Sequence, residues 1–219
     1  MDKNYFWDQI MKWYSNNKRN FAWRKTQTPY FILTAEILLQ QTNAEKVEPV
    51  YLEIIKEYPE VNELAEANLN KLKEIVKKLG LVYRAENLIK CAKLITDKYN
   101  GEVPDERSKL KELPGVGDYI SDAILCYAFN QEAIPIDTNF LRLFTRIDGL
   151  ESNYSDKSRD KDLIAKIKNY YKFDNYNSNF EFKEYNYAIL DFASEVCSAR
   201  KPRCNICCLK DKCCYYELH

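Results

Sequence analysis

Glycine and proline are scarce in this chain, 5 and 7 in 219 residues, which excludes a fold made of many tight turns and favours long helices. No apolar run approaches the length of a membrane span. The opening residues, Met1-Asp2-Lys3, lack the basic-then-apolar pattern of a secretory signal, so the expected location is cytoplasmic. An excess of either charge is also missing, because 33 Lys and Arg balance 33 Asp and Glu. Phosphate binding normally draws on basic side chains, so zero net charge argues mildly against a nucleic-acid partner unless charges segregate on the surface. Candidate basic clusters are Lys18-Arg19, Arg24-Lys25 and residues 200–212. What is abundant is apolar: 46% of residues are hydrophobic and 14% aromatic, enough for a packed globular chain rather than a disordered one. The length suits one large domain or two small lobes.

The apolar residues recur at helical spacing. Phe6, Ile10, Trp13 and Tyr14 mark an N-terminal amphipathic helix. Residues 20–28 read as a loop, and Pro29 suits the first turn of a helix carrying Ile32, Leu33, Ile37 and Leu38. A third helix holds Val47, Val50, Tyr51, Ile54 and Ile55 and stops at Pro59. Asn68 reads as the N-cap of a helix that ends at Gly80. Further helices are expected over about 84–99, shortly after Pro104, over 118–129, after Asp137, and over about 161–171 and 183–197, with 172–182 as loop. No strand pattern and no repeat is evident, so the fold class is all-α.

Six of the eight cysteines fall in the last 23 residues. Cys197, Cys204, Cys207 and Cys213 give the spacing C-x6-C-x2-C-x5-C, which lets four thiolates converge on one metal centre. A disulfide framework is the alternative, but a cytosolic chain of this size does not need one. Iron and zinc both suit four thiolates, and the spacing alone leaves that choice open. Cys208 and Cys214 neighbour two of these positions, so a different register is conceivable, whereas Cys91 and Cys126 sit in apolar helices as core packing.

Leu113-Pro114-Gly115-Val116-Gly117 lies between two expected helices. Two glycines allow a tight turn with free backbone N–H groups, and the following helix presents its positive end. Such a turn can hold a phosphate oxygen without a basic side chain. An ordinary helix–helix turn is the plainer reading. Asp118 is out of place there, since a carboxylate beside a phosphate is unfavourable unless it turns away. Asp137, 20 residues beyond Gly117, is placed to cap the next helix, and Glu36 interrupts an apolar helix where a buried carboxylate is costly without a task.

Together these segments resemble the helix-hairpin-helix DNA glycosylases, the superfamily of endonuclease III and MutY, over about residues 6–216. The resemblance implies a two-lobed all-α fold. One lobe, 25–135, has six helices and the hairpin; the other combines 1–24 with 136–219 and carries the loop 197–213. It implies a 4Fe-4S cluster on Cys197, Cys204, Cys207 and Cys213, stiffening a loop whose basic residues (among Arg200, Lys201, Arg203, Lys210 and Lys212) meet the DNA backbone. It makes Asp137 the carboxylate that stabilises positive charge on the deoxyribose, and Glu36 the proton donor to the base or to water. Arg24 would lie near the extruded base, Gln41 would fill the vacated stack and Thr42 would sit beside the widowed base. Leu113, Gly115, Val116 and Gly117 would grip the backbone. DNA would lie in a cleft with Glu36 and Tyr119 on one wall and Asp137 on the other. Tyr119 stands where endonuclease III has its lyase lysine, so no Schiff base forms and a monofunctional enzyme is expected.

The substrate is then a mismatched or damaged base flipped from double-stranded DNA by a monomeric enzyme of base excision repair. Gln40-Gln41-Thr42 resembles MutY, which removes adenine opposite guanine or 8-oxoguanine. The chain ends just after the cysteines, without MutY's extra domain. Asp137-Thr138-Asn139-Phe140 and Asp191-Phe192-Ala193-Ser194 resemble the thymine mismatch enzymes, and the turn from Gly80 to Ala85 lacks MutY's longer tyrosine-bearing form. Thymine or uracil opposite guanine is therefore the expected target, with adenine as the alternative. Two further alternatives are a non-catalytic DNA-binding or damage-sensing module and a structural zinc protein.

Overall fold

The computed structural model describes residues 1–170, 172 and 181–218, so most of the expected loop at 172–182 lies outside the described residues, as does Tyr171. The described residues form helices and connecting turns, with no strand among them. In chain order the helices are α1 (Lys3–Asn17), α2 (Pro29–Leu39), α3 (Ala44–Glu57), α4 (Val61–Ala65), α5 (Leu69–Val76), α6 (Tyr83–Tyr99), α7 (Arg107–Leu110), α8 (Asp118–Tyr127), α9 (Thr138–Asp148), α10 (Lys161–Tyr170), α11 (Phe182–Glu195) and α12 (Cys214–Leu218). Among the described residues no helix is long and apolar enough to cross a membrane.

The chain divides into two compact units, Asn20–Pro135 and Met1–Arg19 with Ile136–His219. In Asn20–Pro135, α2 packs against α3, α6 and α8. It is apolar nearly all round, as a helix with neighbours on several faces must be, and its Thr34 hydroxyl donates to the Tyr30 carbonyl at 2.9 Å instead of being left unpaired. Pro29 opens α2, where a missing N–H costs nothing. The Asn68 side chain caps α5 by accepting from the Asn70 and Lys71 amides, and Gly80, at φ +81, ends the 3-10 turn that follows it.

Two local readings are corrected here. Residues 20–28 contain a 3-10 turn, Ala22–Lys25, and 20–24 belong with Asn20–Pro135 rather than with the N-terminal helix. The cause is packing: Phe21 and Trp23 stack at 4.7 Å, Trp23 meets Tyr51 edge-on at 5.6 Å, and the Ala22 amide donates to Glu48 Oε1 at 2.8 Å. The short helix α4 was not visible as a periodic segment, being only five residues long.

In the other unit α11 packs against α1 and α9, and α12 lies on α9. Aromatic edges join them: Trp7 to Tyr185 at 5.1 Å, Trp13 to Phe192 at 5.1 Å and Phe6 to Phe144 at 5.3 Å. The N-terminal ammonium lies 2.8 Å from Asp148, the last residue of α9. Phe144 is wholly buried against Phe6 and Phe140, so Phe144→Ala is expected to lower the free energy of unfolding by about 3–5 kcal/mol. Urea denaturation checks this, and a loss below about 1 kcal/mol would mean that these rings do not form a shared core.

Candidate active site

Within Asn20–Pro135 the candidate residues are carried by α2 and α8 and the turns beside them. Glu36 is buried in the middle of α2, flanked by the buried Ala35 and Ile37. Tyr119, half-buried, is the second residue of the helix packed against it, α8. Past the end of α2 the chain turns sharply. Gln41 takes a left-handed φ of +55, unusual for a residue with a side chain, and stands exposed. Thr42 is half-buried, its amide donating to the Leu39 carbonyl at 3.1 Å. Gln40 ties this turn to the hairpin, its Nε2 donating to the Gly115 carbonyl at 3.0 Å. Arg24 lies on the Ala22–Lys25 turn with its guanidinium 5.4 Å from the Phe21 ring centre.

The hairpin turn is anchored from within. Leu113 and Val116 are buried, and the Val116 amide donates to the Leu113 carbonyl at 3.0 Å. The Cys91 thiol donates to the Pro114 carbonyl at 2.9 Å, so this cysteine does more than pack, and burial pushes its pKa up to about 12. Gly115 has φ +84, a left-handed conformation that strains any residue with a side chain, and an added Cβ would also push on the Asn87 side-chain nitrogen at 2.9 Å. Gly117 is different. It caps α8 in an extended conformation, and a Cβ there would meet nothing within 4 Å. The turn itself does not require this glycine; its bareness leaves the helix end open to something approaching from outside. Asp118, the residue that seemed out of place, is held by Lys111 at 2.6 Å.

The other unit, described by itself, carries a further group of candidate residues. Asp137 caps α9: one carboxylate oxygen accepts from the Asn139 and Phe140 amides, each at 2.9 Å, and the other from the Asn139 side-chain Nδ2 at 2.5 Å. Burial raises its pKa above the usual carboxylate range, even though these three bonds and the charge of Arg142 pull it down. Arg142 donates onward to Asn139 Oδ1 at 2.9 Å and to the carbonyls of Ala193 and Cys197 at 2.7 and 2.9 Å. One turn along α9, Arg146 donates to the carbonyls of Ser198 and Ala199 and lies 3.4 Å from the Cys197 sulfur. Neither arginine was singled out from sequence. The available signal was their spacing after Asp137, which puts both on one side of α9.

Cys197, Cys204, Cys207 and Cys213 line one cavity, closed by Leu143, Ile147, Phe192, Val196 and Leu209. Cys208 and Cys214 are not part of it: the Cys208 thiol points to the Gln9 carbonyl at 3.7 Å, and Cys214 lies against Gly149. Among the described residues no group of three or more His, Cys, Asp or Glu side chains is arranged to hold a metal ion. By donor chemistry, the four thiols around this cavity suit an iron–sulfur group or zinc. Burial pushes the Cys207 thiol up to about 12, so ligation there must displace a proton.

The raised pKa of Asp137 has a consequence for stability. The folded chain binds this proton more tightly than the unfolded chain, so ionising the group costs folding energy. That cost is absent below the unfolded value near pH 4 and is complete above the folded value. Asp137→Asn keeps the capping oxygen but turns an amide nitrogen toward Asn139 Nδ2, so what is expected is a trend: its melting temperature relative to wild type rises as the pH goes from 4 to neutral. Scanning calorimetry across pH tests this, and a difference independent of pH would contradict it.

A family model described as HhH-GPD superfamily base excision DNA repair protein matches residues 34–169. The thymine-DNA glycosylase of Aeropyrum pernix is 36% identical over 211 residues, covering 95% of this chain and 93% of that protein. The thymine/uracil-DNA glycosylase of Pyrobaculum aerophilum is 33% identical over 218 residues, covering 99% of this chain and 93% of that one. The solved structure of a thermostable thymine-DNA glycosylase aligns with a TM-score of 0.84 at 31% identity, over 98% of this chain and 96% of that chain. With the hairpin, the capped aspartate and the cysteine-lined cavity in place, the match extends from end to end, and the chain belongs to the HhH-GPD superfamily of base excision DNA repair proteins.

Proposed function

We propose that this protein is a monofunctional DNA glycosylase that hydrolyses the bond between deoxyribose and a thymine or uracil mispaired with guanine. The observation that carries this reading is Asp137, a half-buried carboxylate fixed by three hydrogen bonds at the start of α9. A carboxylate held in one orientation suits a reaction that develops positive charge on a sugar. The relatives named above, whose names specify thymine and uracil, supply the base. Uracil differs from thymine only by lacking a methyl group, and a pocket rejects a missing methyl only weakly.

In this reading the base is flipped out, at least cost where it is mispaired. Gln41, exposed on its left-handed turn, fills the vacated stack, and Thr42 lies beside the orphaned guanine. Arg24 borders the extruded base. Glu36, in its buried position, gives or takes the proton as the bond breaks. Asp137 faces the sugar, water adds at the anomeric carbon, and the free base and an abasic site leave. Tyr119 has no amine, so the strand is not cut through a Schiff base. The hairpin of Leu113, Gly115, Val116 and Gly117 holds a backbone phosphate on the positive end of α8. Cys197, Cys204, Cys207 and Cys213 hold a 4Fe-4S cluster, which when bound cross-links the loop that presents Arg200, Lys201 and Lys212 to DNA. The protein works in the cytoplasm, with the chromosome.

Two measurements test this. On duplexes containing T:G, U:G, A:G or A:8-oxoguanine, thymine and uracil are released, and Asp137→Asn slows release by at least about 10²-fold while duplex binding persists. Adenine release alone would move the enzyme to the MutY type; an inert panel from folded protein would remove the glycosylase reading. Separately, elemental analysis of protein isolated without oxygen gives about four iron atoms per chain, lost in Cys204→Ser and kept in Cys208→Ser. One zinc per chain instead of iron would overturn the cluster.

A further inference from the structure

The second helix of the hairpin opens on an acidic residue, and two cations of the preceding segment are spent on it. Asp118 is the first residue of α8, next to the Gly117 cap. Its Oδ1 lies 2.6 Å from Lys111 Nζ and 3.4 Å from Arg107 Nη2. Arg107 also reaches Asp122 one turn further on, Nε to Oδ1 at 2.9 Å. Within this cluster two positive charges face two negative ones and cancel. The Asp118 side chain is 69% exposed and those of Lys111 and Arg107 are each 46% exposed. Unlike the pair of Arg107 with the buried Asp122, the open pairs of Asp118 contribute little to folding, so stability does not account for them. Their larger effect is on the field at the hairpin, where the bare Gly117 marks the approach.

We propose that Asp118 is a counter-charge that limits affinity for DNA lacking a target. It occupies Lys111 and Arg107, so the hairpin grips a phosphate through backbone N–H groups and the end of α8, with no added cations. The inference rests on the DNA-glycosylase reading and deepens it. A repair enzyme meets a great excess of matched base pairs, and weak non-specific binding keeps it from being held on them. Each phosphate neutralised by a side chain releases counterions and makes binding salt-dependent, so the number of cations engaged can be measured.

The test is duplex binding by fluorescence anisotropy across a salt series, with a matched and a T:G duplex. Asp118→Asn frees Lys111, while Arg107 stays on Asp122, and matched-duplex affinity is expected to rise severalfold at low salt, with the log–log salt slope steeper by about one. Lys111→Gln alone changes little, but in the Asp118→Asn background it removes most of the gain, a coupling that a double-mutant cycle reads directly. An unchanged slope in Asp118→Asn, weaker binding, or a gain indifferent to Lys111 overturns the inference while leaving the enzyme reading intact. Wild-type protein that is folded but binds neither duplex sinks that reading, and the inference with it.

Discussion

One guanidinium holds Asp137's hydrogen-bond frame and the cysteine-lined loop in register. Arg142 projects from α9, and its fork engages the Asn139 side chain and the carbonyls of Ala193 and Cys197. Arginine is only ever a donor, so it must take the oxygen of the Asn139 amide. That leaves the amide nitrogen as the end facing Asp137, where it donates to the second carboxylate oxygen. The orientation of Asn139 is thus set from one side and used on the other. The same fork ends on the carbonyl of Cys197, the first of the four cysteines lining the apolar cavity, and Arg146 repeats the arrangement one turn on. Burial works against the charge of Arg142, and the neighbouring Cys197 and Asp137 offset it.

Asp137 shows the cost of such a frame. Two amides and one side-chain amide stabilise its ionised form, which would ordinarily give a carboxylate of low pKa. Desolvation outweighs them, and the net shift is upward. A chain selected for stability alone would put a more exposed cap here. In the proposed reaction, a carboxylate fixed on both oxygens at the start of α9 is the group that meets the positive charge developing on the sugar.

Much of this was legible in the sequence, and what was not has identifiable causes. The helices were readable because α2, α3 and α5 carry periodic apolar residues, with Pro29 and Asn68 marking the starts of α2 and α5. Asp137 was readable because capping is a local rule, and the cysteine loop because its spacing is short-range. Arg142 and Arg146 escaped because their partners, the carbonyls of 193 and 197–199, lie about 50 residues away and carry no side-chain signature. Arg84 is a similar case: it is fully buried and donates to the Leu38 carbonyl at 2.8 Å, holding the end of α2 from which Gln41 projects. Nothing in a run of Tyr83-Arg84-Ala85 marks that arginine as an interior one. The lobe boundary near residue 20 was missed because the stacking of Phe21 on Trp23 and of Trp23 on Tyr51 is a tertiary fact.

The balance of 33 cations and 33 anions poses the remaining question of how a neutral chain addresses a polyanion. In the proposed reading, the hairpin answers through backbone geometry. The carbonyls of Leu113, Pro114 and Gly115 are all engaged from within the protein, by Val116, Cys91 and Gln40. With its acceptors occupied, the turn presents donors and the positive end of α8 to the outside. Such a field does not titrate, needs no mobile side chain to be ordered, and decays within a turn of helix. It therefore rewards a phosphate only when the phosphate is already seated against the glycines. Lysines on long stems would attract DNA from further away and in any register. Pairing the nearest ones with Asp118 exchanges reach for geometry, which suits a protein whose chemistry depends on one nucleotide being placed against one carboxylate.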